Sequence, residues 1–209
     1  MPRKVFIITQ CMLAVFFTIV IAVSSFATIS KTTTIDNLNS ALKGETNASH
    51  KYELFAQKAD KEGYNQVAKL FRAVSMAESI HRNNHKAVIL GMGRTPAISN
   101  YDAVNVNSTK ENLEGPLKGE GYEQDTMYPN FIKQADAEKL PAAVKTFLYA
   151  QNAEKQHEKL FEEALRKLGK NPKVDYCVSR VSGATYSTGI HDICPISKCG
   201  YDDEYIRIK

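Results

Sequence analysis

Ala77-Glu78-Ser79-Ile80-His81 and Ala153-Glu154-Lys155-Gln156-His157 are the two stretches that decide how this chain is read. Each sets a carboxylate three residues before an imidazole, and the chain has only five histidines. On an α-helix positions i and i+3 share a face, so each step aims both groups at one point. Two further pairs, Gly44-Glu45 and Gly119-Glu120, precede the steps at nearly the same interval. A glutamate from each of two helices, plus a Glu-x-x-His from each of two others, makes a ligand set for two bridged metal ions inside a four-helix bundle. The sequence therefore predicts an all-α bundle built around Glu45, Glu78, His81, Glu120, Glu154 and His157.

Outward from these motifs, the body of the chain is a duplication. Asn37-Leu38 and Leu42-Lys43-Gly44-Glu45 return as Asn112-Leu113 and Leu117-Lys118-Gly119-Glu120, a shift of 75 residues, whereas Ala77-Glu78 and His81 return after 76. Each half is expected to be a helix pair. The first helix should begin near Thr34 or Asp36 and end near Gly63; the second should run from Asn65 to Leu90, with Gly91 as its stop. A third spans Lys110 to Ala137 with a kink expected at Pro129, and a fourth runs from Pro141 to Gly169. Residues 92–109 lack periodicity and form the long crossover needed to start a third helix parallel to the second.

The flanks differ in kind. Arg3 and Lys4 precede an apolar run, Met12 to Val23, and then Ser24-Ser25-Phe26-Ala27. That order reads as a signal peptide over residues 1–27, cut after Ala27; the competing reading is an uncleaved N-terminal anchor over Val5 to Ile29. Either way the body is exported, to the periplasm or tethered at the outer face of the cytoplasmic membrane. From Asn171 the composition turns to Ser, Thr, Gly and Cys with short β-prone runs, so residues 30–170 form the bundle and 171–209 a small β/loop tail. A net charge of +4, with no basic block interleaved with aromatics, argues against nucleic acid as a partner.

A single glutamate usually faces solvent, and an isolated Glu-x-x-His is common on wet helices. Here the six residues lie on the faces that the apolar pattern turns inward, where four carboxylates without cations would be heavily penalised. Hard carboxylates bridging two cations, with an imidazole completing each, suit iron. His85, one turn past His81, has two readings, an inward donor behind the ligands or a surface residue, of which the surface one is preferred; His50 reads as exposed.

The stretches Gly44-Glu45-x-x-Ala48, Glu78-x-x-His81, Gly119-Glu120-x-Tyr122-Glu123 with Met127-Tyr128-Pro129, and Glu154-x-x-His157 resemble rubrerythrin, a ferritin-like family of non-haem di-iron peroxidases, over Thr34 to Leu168. The resemblance implies a ferritin-like fold and a seventh ligand, Glu123, which would exchange with His81 at one iron. It also implies that Tyr52 and Tyr128 hydrogen-bond beside the metals. Hydrogen peroxide is the implied substrate and a homodimer the implied assembly.

The tail departs from the family. Rubrerythrins commonly end in a rubredoxin-like module with two Cys-x-x-Cys knuckles, but here the outline reads Ser179-x-x-Ser182-Gly183 and Cys194-Pro195-x-Ser197. Serine cannot replace a soft thiolate, so a rubredoxin-type iron is excluded by count. Cys177, Cys194 and Cys199 either hold a rearranged metal site with His191, or two of them form a disulfide, leaving one thiol over. Without the built-in relay, an external redox donor protein is expected. The alternative function is that of a ferritin-like protein that oxidises and binds iron.

Overall fold

The structure, a computed structural model, describes residues 33–97, 100–190, 192, 194 and 205–209. The expected leader or anchor, His191 and Cys199 lie outside the described residues.

Helices α1 (Thr34–Lys61), α2 (Asn65–Gly91), α3 (Thr109–Tyr122), α4 (Tyr128–Ala137) and α5 (Pro141–Arg166) build the bundle, with α3 and α4 joined by a π-helical turn, Glu123–Met127, into one long third arm. The duplication is visible in how these helices start. Thr33 caps α1 and Ser108 caps α3, each in a capping box closed by the acid at the third helical position, Asp36 or Glu111. The acid that closes each half reaches across to the other. Glu62 accepts from the Thr109 backbone N–H (2.8 Å), and Glu138 accepts from that of Thr34 (3.2 Å).

Those contacts fix helix directions. The end of α1 lies by the start of α3, and the end of α4 by the start of α1. Residues 92–97 and 100–108 therefore belong to a connection back along the bundle. They lie beside α1, with Ala97 N–H donating to Asn39, Asp102 paired to Asn47 and Lys43, and Val104 packed on the core. The third arm thus runs parallel to α2.

The third arm departs from regular α-helix at the π turn, Glu123–Met127, just ahead of Pro129, where the sequence suggested a kink. The Tyr128 N–H reaches back five residues to the Glu123 carbonyl. Proline lacks the N–H that a regular turn would use, so its place just after the wide turn, at the start of α4, removes no needed bond. This turn also explains the repeat's two intervals. The shift is 75 up to Glu120 and 76 from Tyr128 onward, and the π turn absorbs the extra residue. In its absence Tyr128 would rotate about 100° away from the core.

Two matching aromatic groups fill the bundle on either side of the glutamates. One holds Tyr52, Phe55, Phe71 and Phe161; the other, 76 residues on or back, holds Tyr128, Phe131, Phe147 and His85. Phe161 lies 5.4 Å from the Tyr52 ring and 5.6 Å from Phe71; His85 lies 6.1 Å from Tyr128 and 5.5 Å from Phe147. Each fully buried phenylalanine contributes roughly 2–3 kcal/mol of apolar burial. His85 is thus wholly buried, which corrects the surface assignment. His50 is half-buried, stacked on Tyr101 at 4.2 Å.

The tail forms a sheet of order β2-β1-β3, with β1 at Asp175–Ser179, β2 at Thr185–Thr188 and β3 at Tyr205–Ile208, all antiparallel. It does not stand alone. Tyr176 and Val178 join the core of the bundle, and Lys69 of α2 bonds both the Val174 carbonyl (3.0 Å) and Asp175 (3.1 Å). Cys177 and Cys194 are joined in a disulfide. Their sulfurs have no thiolate left to offer a metal, so the rearranged site that would use Cys177 and Cys194 is ruled out.

Candidate metal centre

Helices α1, α2, α3 and α5 each deliver one glutamate to the middle of the bundle. Glu45, Glu78, Glu120 and Glu154 are all at most 3% exposed, as are His81 and His157. They fall into two overlapping groups whose ligand atoms lie within 4.8 Å of one another: Glu45, Glu78, His81 and Glu154, and Glu78, Glu120, Glu154 and His157. Glu78 and Glu154 belong to both, as bridging carboxylates would. The pseudo-twofold of the duplication exchanges the two groups.

The imidazoles are aimed alike. Nδ1 of His81 lies 2.9 Å from Glu78 Oε2, 3.5 Å from Glu154 Oε1 and 3.7 Å from Glu45 Oε1. Nδ1 of His157 lies 2.9 Å from Glu154 Oε2, 3.5 Å from Glu78 Oε1 and 3.6 Å from Glu120 Oε2. Their far nitrogens are held by the tail. His81 Nε2–H donates to the Ser182 carbonyl (3.0 Å), and His157 Nε2–H to Thr185 Oγ1 (3.3 Å). The Thr185 hydroxyl spends its own proton on the Gly183 carbonyl (3.0 Å), so toward His157 it can only accept. Both acceptors place the proton on Nε2 and leave Nδ1 for the cluster.

Gly183 makes that approach possible. Its φ is +75°, and a Cβ there would stand 2.2 Å from His81 Nε2. None of Ser182, Gly183 and Thr185 was singled out as a site residue from sequence. The only signal was the outline of a knuckle that had lost its cysteines.

The tyrosines act across the repeat: Tyr52 of the first half donates its hydroxyl to Glu120 Oε1, and Tyr128 of the second half to Glu45 Oε1. Burial, followed by the charges of Glu120 and Glu78 for Tyr52 and of Glu45 and Glu123 for Tyr128, pushes both hydroxyls far above their ordinary range. They stay protonated, as donors to the carboxylates. Glu123 is not in either four-residue group. It sits half-buried on the π turn, and burial with the charges of Glu45, Glu120 and Glu78 drives its carboxyl well up.

Charge balance shows what this arrangement lacks. Burial opposes the charged form of every group, yet Glu45 lifts His81 to about 10, and Glu78 and Glu120 lift His157 to about 9. The same pairing holds Glu45 and Glu120 low, while burial and like charges push Glu78 up and Glu154 far up. Among the described residues the ion pairs of these four carboxylates all run to histidine. Two oxygens, Glu120 Oε2 and Glu154 Oε1, are buried without a hydrogen-bond partner, and each faces a histidine Nδ1. Two divalent cations would balance four ionised carboxylates and occupy those orphaned oxygens, so the residues fit a di-metal group.

The family model for rubrerythrin matches residues 36–165. The chain belongs to the rubrerythrin family. Nigerythrin from Nitratidesulfovibrio vulgaris is 32% identical over 163 residues, which is 78% of this chain and 81% of the relative. Rubrerythrin-2 from Clostridium acetobutylicum is 30% identical over 168 residues, 80% of this chain and 84% of its own length. A solved structure of nigerythrin in a mixed-valent state aligns with a TM-score of 0.74 at 30% identity, over 87% of this chain and 90% of that one. A bacterioferritin from Mycobacterium tuberculosis aligns at 0.60 with 21% identity over 66% of this chain, which is likeness of fold alone. Rubrerythrin membership makes this a ferritin-like protein of a di-iron oxidoreductase family, with its buried carboxylate and histidine site in place.

Proposed function

We propose that the protein is a di-iron peroxidase that reduces hydrogen peroxide to water with electrons from an external donor. One observation carries this reading: two buried groups of carboxylates and one imidazole each, sharing Glu78 and Glu154, with orphaned oxygens between them. Glu45, Glu78, His81 and Glu154 would hold one iron, and Glu78, Glu120, Glu154 and His157 the other. When bound, ferrous iron supplies Lewis acidity and the two electrons that the O–O bond consumes.

The chain's own residues supply binding and protons. Tyr52 and Tyr128 each donate to one oxygen of Glu120 and Glu45, fixing how those carboxylates face the metals. Glu123 stands on the π turn with a carboxyl whose hold on its proton is strengthened by burial and by the charges of Glu45, Glu120 and Glu78, which suits it to protonate a departing oxygen. It also has the length to enter the metal sphere, the exchange with His81 that the family resemblance implies. Peroxide reduction takes up two protons and two electrons to give two waters, and the electrons must then be replaced. The tail's Cys177 and Cys194 are bonded to each other, which removes a thiolate iron relay and calls for a separate donor protein.

The leader-like composition of residues 1–27 and the disulfide both favour an exported protein in an oxidising compartment, and the family resemblance implies a homodimer. The test is stopped-flow oxidation of the reduced protein. Peroxide should oxidise it at least tenfold faster than dioxygen, and Glu123→Ala should slow the peroxide reaction by 10²-fold or so. Faster reaction with dioxygen, followed by accumulation of many irons per chain, would favour iron storage instead.

A further inference from the structure

The duplication predicts a phenylalanine where His85 stands and a leucine where Thr146 stands, because their partners 76 residues away are Phe161 and Leu70. All four are buried in matched surroundings. One half shows that an apolar pair fits this place, so the polar pair is not there for packing. Burying a ring nitrogen and a hydroxyl costs stability unless they are bonded, and these two are bonded to each other: Thr146 Oγ1 lies 3.0 Å from His85 Nδ1.

Hydrogen-bond logic fixes the imidazole. The Tyr128 hydroxyl proton goes to Glu45 Oε1, so its oxygen faces His85 Nε2 as an acceptor, at 3.4 Å. Nε2 therefore carries hydrogen, and bare Nδ1 accepts from Thr146. The N–H dipole points at Tyr128 and stands 3.8 Å from the ligand oxygen Glu45 Oε1. At the other end the place of His85 is taken by Phe161, whose ring lies 5.4 Å from that of Tyr52 and carries no N–H donor.

We propose that His85, set by Thr146, is a positioning residue that makes the two ends of the centre unequal, loosening the metal position of Glu45 and His81 relative to that of Glu120 and His157. It rests on the metal-centre reading. A ligand oxygen that also faces N–H and O–H donors is a poorer electron donor to a metal, so the Glu45 end binds more weakly and leaves its metal more electrophilic. Glu123 is a second departure from the repeat, standing where the first half has Ala48, and the experiment separates the two.

Metal-free protein is crystallised with one equivalent of Co²⁺ per chain, and anomalous scattering gives the occupancy at each end. In the unaltered chain the Glu45 end should be about fivefold or more emptier. His85→Phe with Thr146→Leu should bring the ends within about twofold. Thr146→Val alone, a milder change, should narrow the gap, while His85→Gln, which keeps an N–H donor, and Glu123→Ala should both preserve it. Equal ends in the unaltered chain, an undiminished gap in the double variant, or equalisation by Glu123→Ala would overturn the proposal. Cobalt at neither end would overturn the metal centre itself, a distinguishable result.

Discussion

His81 and His157 hold protons that metals must displace. Their folded values, about 10 and 9 against an ordinary 6.5, mean that both Nδ1 atoms are protonated at pH 7 in the metal-free chain. Loading at pH 7 should release at least two protons per chain, fewer above pH 9 to 10, and metal affinity should rise with pH across that range. A pH indicator in weak buffer reads this directly, and no release at pH 7 would contradict it. The sign for stability is opposite. Because these values are raised, their contribution to the metal-free fold is complete below about 6.5 and is lost as pH climbs through 9 to 10. Gly183 adds a steric prediction: Gly183→Ala should push His81 aside and weaken metal binding 10- to 100-fold, read by competition with a chelator, and the positive φ should lower the metal-free melt as well. The glutamates and histidines of the site were legible from spacing because helical i and i+3 positions leave little freedom. His85 was only half legible: its place one turn past His81 allows an inward ring, but nothing local in its stretch decides against the surface. Only the internal repeat, extended to Phe161, reveals the place it holds.

The helices illustrate which element signals survive folding. Capping residues and glycine stops gave helix ends within a few residues, because caps satisfy orphaned backbone groups locally. In the third arm the sequence showed Pro129 but not the wide turn just before it, which keeps Tyr128 inward. Deleting Asp125 should convert the turn to the regular helix of the first half, where Tyr52 follows Glu45 by seven residues, and so leave Tyr128 on Glu45. We expect urea unfolding to change by no more than about 1 kcal/mol. A loss of about 3 kcal/mol, the scale of vacating an aromatic core position, would mean that the turn does not absorb the extra residue.

At the scale of the whole molecule, bundle and tail are one unit. The sequence marked the tail by composition and by lost cysteines, yet it could not show that β1 packs into the bundle core or that the β1–β2 turn holds both histidines. The turn's contacts to His81 and His157 join residues 101 and 28 apart, beyond any local pattern. The Cys177–Cys194 disulfide closes a loop 17 residues apart. Its reduction should cost roughly 3 kcal/mol and speed metal loss to a chelator, because the turn over His81 and His157 is freed with the sheet. Equal metal loss before and after reduction would separate the tail from the centre.

Metal content after anaerobic reconstitution with ferrous iron tests the central claim most directly. The unaltered chain should retain about two irons after desalting, and Glu78→Ala or Glu154→Ala, each removing a carboxylate shared by both groups, should retain one or none. A chain that keeps no iron, or variants that keep as much as the unaltered chain, would contradict it.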